Sequence, residues 1–167
     1  MTFSQSQAIE APVVSGVSVE RNVARIAIDG VSKNAELITS LFSKVAAAGV
    51  NVDIIVHNRL DDEHKMRIAF TVAEGDLERT TKVMDSIRTE KGLDQVRVES
   101  EGGLAKVSIV GLGMQSHHGV ASRAFAALTN NGIDIRMIST SEIKISCVVP
   151  KHDADTAARF LHDQFIV

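Results

Sequence analysis

The sequence predicts an α+β protein of two tandem βαββαβ units, each an antiparallel sheet with its helices on one face. Three observations predict this fold: the chain repeats its own pattern once, each copy reads strand, helix, strand, strand, helix, and the strands alternate apolar and polar residues at period two. That order is the split, ferredoxin-like arrangement.

Taken in order, residues 1–12 ("MTFSQSQAIEAP") read as a flexible tail without the basic and apolar regions of a secretory signal, so a cytoplasmic protein is expected. A spare strand, "VVSGVSV" (13–19), precedes the first copy and is expected to cross over and complete the second unit's sheet. The first domain is expected over 21–100 and the second over 101–167 plus that strand.

"ARIAIDGV" (24–31) and "AKVSIVGL" (105–112) are matching first strands. Each leads into a helix: Leu37, Ile38, Leu41, Phe42 and Val45 make one apolar stripe, and Val120, Ala124, Phe125 and Leu128 make the other, with Gly49 and Gly132 as stops. Phe42 aligns with Phe125. Strands over 50–58 and 67–72 match strands over 133–141 and 144–149. The second helices carry Leu77, Thr80, Val83, Met84 and Ile87, and Ala157, Phe160 and Leu161, with Asp76 and Asp153 as N-caps. A last strand over 95–99 closes the first copy. Opposite the apolar positions stand Arg25, Asp29, Asn51, Asp53, Arg67 and Arg97, then Lys106, Ser108, Asp134, Arg136 and Lys144, so a wet sheet face is expected in each unit.

Composition narrows the function. With 44% apolar and 23% charged residues the chain has a globular profile, and no apolar run approaches the roughly 20 residues of a membrane span. The net charge of −3 and the absence of Trp and Tyr speak against nucleic-acid binding, which uses basic surfaces and aromatic stacking platforms. The single cysteine, Cys147, lies in an apolar strand and reads as a buried thiol. Gly111 and Gly113 in "SIVGLGMQS" lack the third glycine of a dinucleotide fingerprint, so turn formation is the better reading. None of the six histidines shows metal-ligand spacing, and no nucleophile-base arrangement is signalled, so neither a metal nor a cofactor is expected. The loop before Gly119 opens a helix, where backbone N–H groups and the helix dipole suit a carboxylate; a plain helix-opening turn is the alternative.

The string "KVSIVGLGMQSHHGVASRAFAALTNNGIDIRMISTSEIKISCVV" closely resembles the regulatory region of aspartate kinase, and "APVVSGVSVERNVARIAI" and "NVDIIVHN" resemble it too. The resemblance runs from about Pro12 to the C-terminus and implies two ACT domains that bind an amino acid at their mutual interface. It implies a β subunit or regulatory fragment with no catalytic residues of its own, a threonine or lysine effector, an aspartate kinase catalytic chain as partner, and a homodimer through ACT domains. Carried over residue by residue, it implies an effector site at Met114, Gln115, Ser116, His117, His118, Gly119 and Val120, with Asn51, Val52, Asp53, Ser141 and Glu142. His118 stands where the family commonly has proline.

A weaker second site is implied at Lys33, Asn34, Ala35, Glu36, Leu37, His57, Asp134 and Ile135. Its loop departs from the family's P-D-x-P-G: Lys33 replaces the aspartate, Ala35 the proline and Glu36 the glycine. A lysine there repels an effector's ammonium, leaving His57 and Asp134 as the compensating acceptors. These departures suit the rival reading, a degenerate pair serving only as a dimerisation platform. The run Ser139 to Glu142 fits both turn formation and ligand sensing.

Overall fold

The computed structural model describes residues 13–32, 35–59, 65–90, 96–112 and 119–166. The chain forms two compact units, one of residues 20–106 and 150–152, the other of the described residues before Glu20 with 107–149 and those after His152. The elements in chain order are β1 (Val13–Ser32), α1 (Ala35–Ala47), β2 (Ile55–Arg59), β3 (Lys65–Ala73), α2 (Leu77–Glu90), β4 (Arg97–Leu112), α3 (Val120–Thr129), β5 (Met137–Thr140), β6 (Lys144–Pro150) and α4 (Ala154–Phe165). A 3-10 turn precedes both α2 and α4.

In the larger unit the strands run β2-β3-β1-β4, with β1 and β2 each antiparallel to β3. Ile26 lies opposite Phe70 and Ile28 opposite Ile68. These side chains point to the helix face, where Leu37, Leu41 and Val45 of α1 and Met84 and Ile87 of α2 close the core. Phe42 packs against this core with its ring edge-on to Phe70, centroids 5.6 Å apart. The helix stripe read from sequence is therefore the buried one, and α1 ends at Gly49, whose φ of 77° a side chain would resist.

In the smaller unit the order is β1-β4-β6-β5, with β5 and β6 antiparallel. Its buried apolar residues include Val107, Ile109, Val120, Ala124, Leu128, Ile145, Cys147 and Leu161. Phe125 departs from the predicted stripe at 44% exposed. Its position lies one step round the helix from Ala124 and Leu128, at the edge of the face that α3 buries.

Several sequence expectations need correction. The segments 13–19 and 24–31 are one 20-residue strand, and the strand expected at 95–99 runs on from Arg97 through 105–112. Asn22 (φ 62°) and Gly103 (φ 66°) each absorb a left-handed φ inside a continuing strand. The strand expected over 50–58 starts only at Ile55, and that over 133–141 spans Met137–Thr140. Asp153 sits at the N-cap of α4 in helical φ and ψ without a side-chain cap bond, and the Asp76 carboxylate pairs with Arg79 at 3.0 Å. The 3-10 turns leading into both helices already set the backbone.

The expected wet faces are partly dry. Ala27, Ala69, Thr71 and Lys106 in the larger unit, and Ser108 and Ser146 in the smaller, are buried. Ser108 and Ser146 satisfy one another, their hydroxyls 2.8 Å apart. Arg25, Asp29 and Arg67 are half-buried, and Asn51, Asp53, Arg97, Asp134 and Arg136 remain exposed. Small residues in the middle of a strand are covered by longer neighbours on the same face, which polarity alternation does not register.

Candidate functional site

The larger unit holds an open cavity of about 420 Å³ lined by Glu20, Asn51, Val52, Asp53, Thr71, Asp76 and Lys106 with neighbouring strand residues. That size suits a small molecule. Its floor is built by an interrupted strand. After Gly49 the chain turns off α1, the Val50 N–H donates to the Val45 carbonyl at 3.2 Å, and Val50 is buried. Residues 51–54 then run outside any strand ladder.

Thr71 of β3 governs that interruption. Its carbonyl accepts the Asp53 N–H at 3.1 Å, and its N–H donates to the Ile54 carbonyl at 3.0 Å. Its hydroxyl accepts the Ile54 N–H at 3.1 Å, which takes a backbone donor out of the ladder. Asn51 and Asp53 are thus presented to solvent while Ile54 is buried beneath them.

Lys106 closes the site from β4. Its side chain is only 10% exposed, and its ammonium meets the Asp53 carboxylate and, at 2.9 Å, that of Glu20. Burial alone would push this ammonium's pKa down; the hydrogen bonds to Asp53 and Glu20 outweigh it and hold it above the ordinary lysine value. On the rim, Arg79 donates to Asp76 and, at 2.8 Å, to the Ala48 carbonyl at the end of α1.

The sequence-derived residues fall into three groups. Asn51, Val52 and Asp53 lie together at the cavity. Met114 to His118, Lys33 and Asn34 lie outside the described residues, as do the side chains of Ala35 and Glu36. The rest have local roles. Gly119 precedes α3 with φ 90° and Val120 is buried behind it. Leu37 is buried in the core. The His57 imidazole sits 2.8 Å from the Met66 sulfur, the Asp134 carboxylate pairs with Arg136, and Ile135 is half-buried. The N–H and hydroxyl of Ser141 donate to the Lys144 carbonyl at 2.8 and 3.3 Å, closing the β5–β6 turn with Glu142 exposed at its tip.

Sequence reasoning missed Glu20, Thr71 and Lys106. The available signal was a lysine placed between the apolar Ala105 and Val107. Among the described residues no group of His, Cys, Asp and Glu is arranged to hold a metal ion.

An ACT domain family model matches residues 107–165. Aspartate kinase Ask_LysC of Stutzerimonas stutzeri (strain A1501) is 38% identical over 165 residues, covering 99% of this chain and 39% of that protein. The chain therefore spans well under half the length of this curated relative. Among solved structures, aspartokinase alpha and beta subunits match with a TM-score of 0.82 and 35% identity, covering 93% of this chain and 100% of that one. The ligand-free regulatory subunit of aspartate kinase from Thermus thermophilus matches with a TM-score of 0.81 and 29% identity, covering 91% and 98%.

Proposed function

Because this chain belongs to the aspartokinase family, in its regulatory ACT-domain part, we propose that both units are ACT domains and that the chain senses a feedback amino acid, lysine or threonine, for an aspartate kinase catalytic chain. The observation that carries this reading is the match over nearly the whole of both chains to a solved aspartokinase subunit. The effector binds against Asn51 to Asp53; Met114 to Val120, Ser141 and Glu142 are proposed as effector-binding residues too. Binding stabilises one arrangement of the ACT domains, in a homodimer formed through them, and that arrangement slows aspartate phosphorylation. A differential affinity of about 1 to 3 kcal/mol between the two arrangements is enough for several-fold to hundredfold inhibition. The second site, around Lys33 to Leu37, His57, Asp134 and Ile135, has the weaker claim.

Electrostatics order the two effectors. At the cavity, the carboxylates of Glu20, Asp53 and Asp76 meet two cations, Lys106 and Arg79. The surplus negative charge favours lysine, with its second ammonium, over threonine. Among the described residues no helix is long and apolar enough to cross a membrane, and the protein is proposed to work in the cytoplasm.

The test is reconstitution. The chain is mixed with an aspartate kinase catalytic chain, and co-elution and aspartate phosphorylation are measured against lysine and threonine. Co-elution with inhibition, stronger for lysine, is expected. A catalytic chain that ignores this one, or a complex indifferent to both amino acids, overturns the proposal.

A further inference from the structure

Lys106 occupies an unusual position for a lysine. It lies on β4 between the buried Ala105 and Val107, with its ammonium held between two carboxylates that are themselves more than half exposed, Asp53 at 55% and Glu20 at 61%. Those carboxylates come from separate parts of the unit's sequence, Glu20 from within β1 and Asp53 from the interrupted segment after α1. Thr71 fixes the backbone of the same segment through Asp53 and Ile54. The segment is therefore gripped twice, by hydroxyl and backbone from β3 and by ammonium from β4.

We infer that Lys106 is a positioning residue for the effector site: by gathering Asp53 and Glu20 it sets the conformation of Asn51 to Asp53 and neutralises the carboxylate that an effector's own carboxylate must approach. This inference rests on the effector reading above. Without Lys106, Asp53 is free to swing over the cavity and carries an uncompensated negative charge there. The effector's α-carboxylate then meets stronger repulsion than where the Lys106 ammonium offset the Asp53 charge. The defect is one of charge, so removing the charge cures it. Because Asp53 is more than half exposed, a neutral pair there costs folding little.

The experiment is calorimetric titration of the full chain with L-lysine and L-threonine, using wild type, Lys106→Met, Asp53→Asn and the double variant. Lys106→Met is expected to weaken binding about tenfold, equivalent to about 1.4 kcal/mol. In the double variant Asp53→Asn is expected to recover most of that loss, a recovery that a merely structural role for Lys106 does not produce. Thr71→Val, which keeps the side-chain shape but removes the acceptor for the Ile54 N–H, gives a second line in case Lys106→Met folds poorly: it too is expected to weaken binding, with faster amide exchange confined to 53–54. Wild-type binding that is unchanged by Lys106→Met, or lost in it and not recovered by Asp53→Asn, overturns the positioning role and leaves the effector reading standing. Wild type that binds neither amino acid overturns the effector reading and the inference with it.

Discussion

Phe42 and Phe125 hold the same place in the two copies of the repeat, so a reading from sequence alone gives them equal weight; the structure does not. Phe42 packs against the larger unit's core and edge-on to the fully buried Phe70, whereas Phe125 is 44% exposed. An aromatic side chain covers about 150–250 Å² on full burial, worth about 4–6 kcal/mol at about 25 cal/mol per Å². Phe42 is partly buried and has an aromatic partner, so Phe42→Ala is expected to cost about 3 kcal/mol. Phe125 packs at the edge of its helix face, and alanine's higher helix propensity offsets part of the loss, so Phe125→Ala is expected to cost about 1 kcal/mol or less. Urea unfolding followed by amide exchange measures each unit separately, because two compact units need not open together. Equal losses at the two positions, or a larger loss at Phe125, would refute this reasoning and would mean that Phe125 is covered in solution.

Two further predictions concern ionisable groups. The hydrogen bonds from Arg67 hold the Asp29 carboxyl below its ordinary range, so the pair's stabilisation is fully present above that range and is lost as pH falls through it toward the lowered folded value. With Arg67 42% exposed, the pair is worth at most about 1 kcal/mol; Asp29→Asn should therefore shallow the acid limb of a stability-against-pH curve, and an unchanged limb contradicts the pairing. Burial pushes the Cys147 thiol up to about 11; at pH 8 the native chain should resist a thiol reagent that labels it at once in denaturant, and equally fast labelling of the folded chain would show the site is open.

Much of the fold was legible because it is written in short-range pattern. The stripe Leu37, Leu41, Val45 and the stops at Gly49 and Gly132 depend on residues three to four apart, and the structure buries the one and gives the others positive φ. What failed depends on distant partners. The segments 13–19 and 24–31, and 95–99 and 105–112, read as separate strands, yet the neighbouring strands carry the chain straight through Asn22 and Gly103. Lys106 alternates with apolar residues and so reads as solvent-facing; the Asp53 carboxylate that permits its burial lies 53 positions away. Thr71 looks like an ordinary strand residue until its hydroxyl is seen on the Ile54 N–H. At the site, Asn51 to Asp53 were legible through family resemblance, whereas the roles of Glu20, Thr71 and Lys106 in holding them depend on partners distant in sequence.

Equilibrium dialysis of the isolated chain against labelled L-lysine and L-threonine tests most directly whether it is an amino-acid sensor. Saturable uptake at millimolar concentration or below, tighter for lysine, is the predicted result. No retained label for either amino acid would contradict it, however close the likeness to aspartokinase regulatory chains.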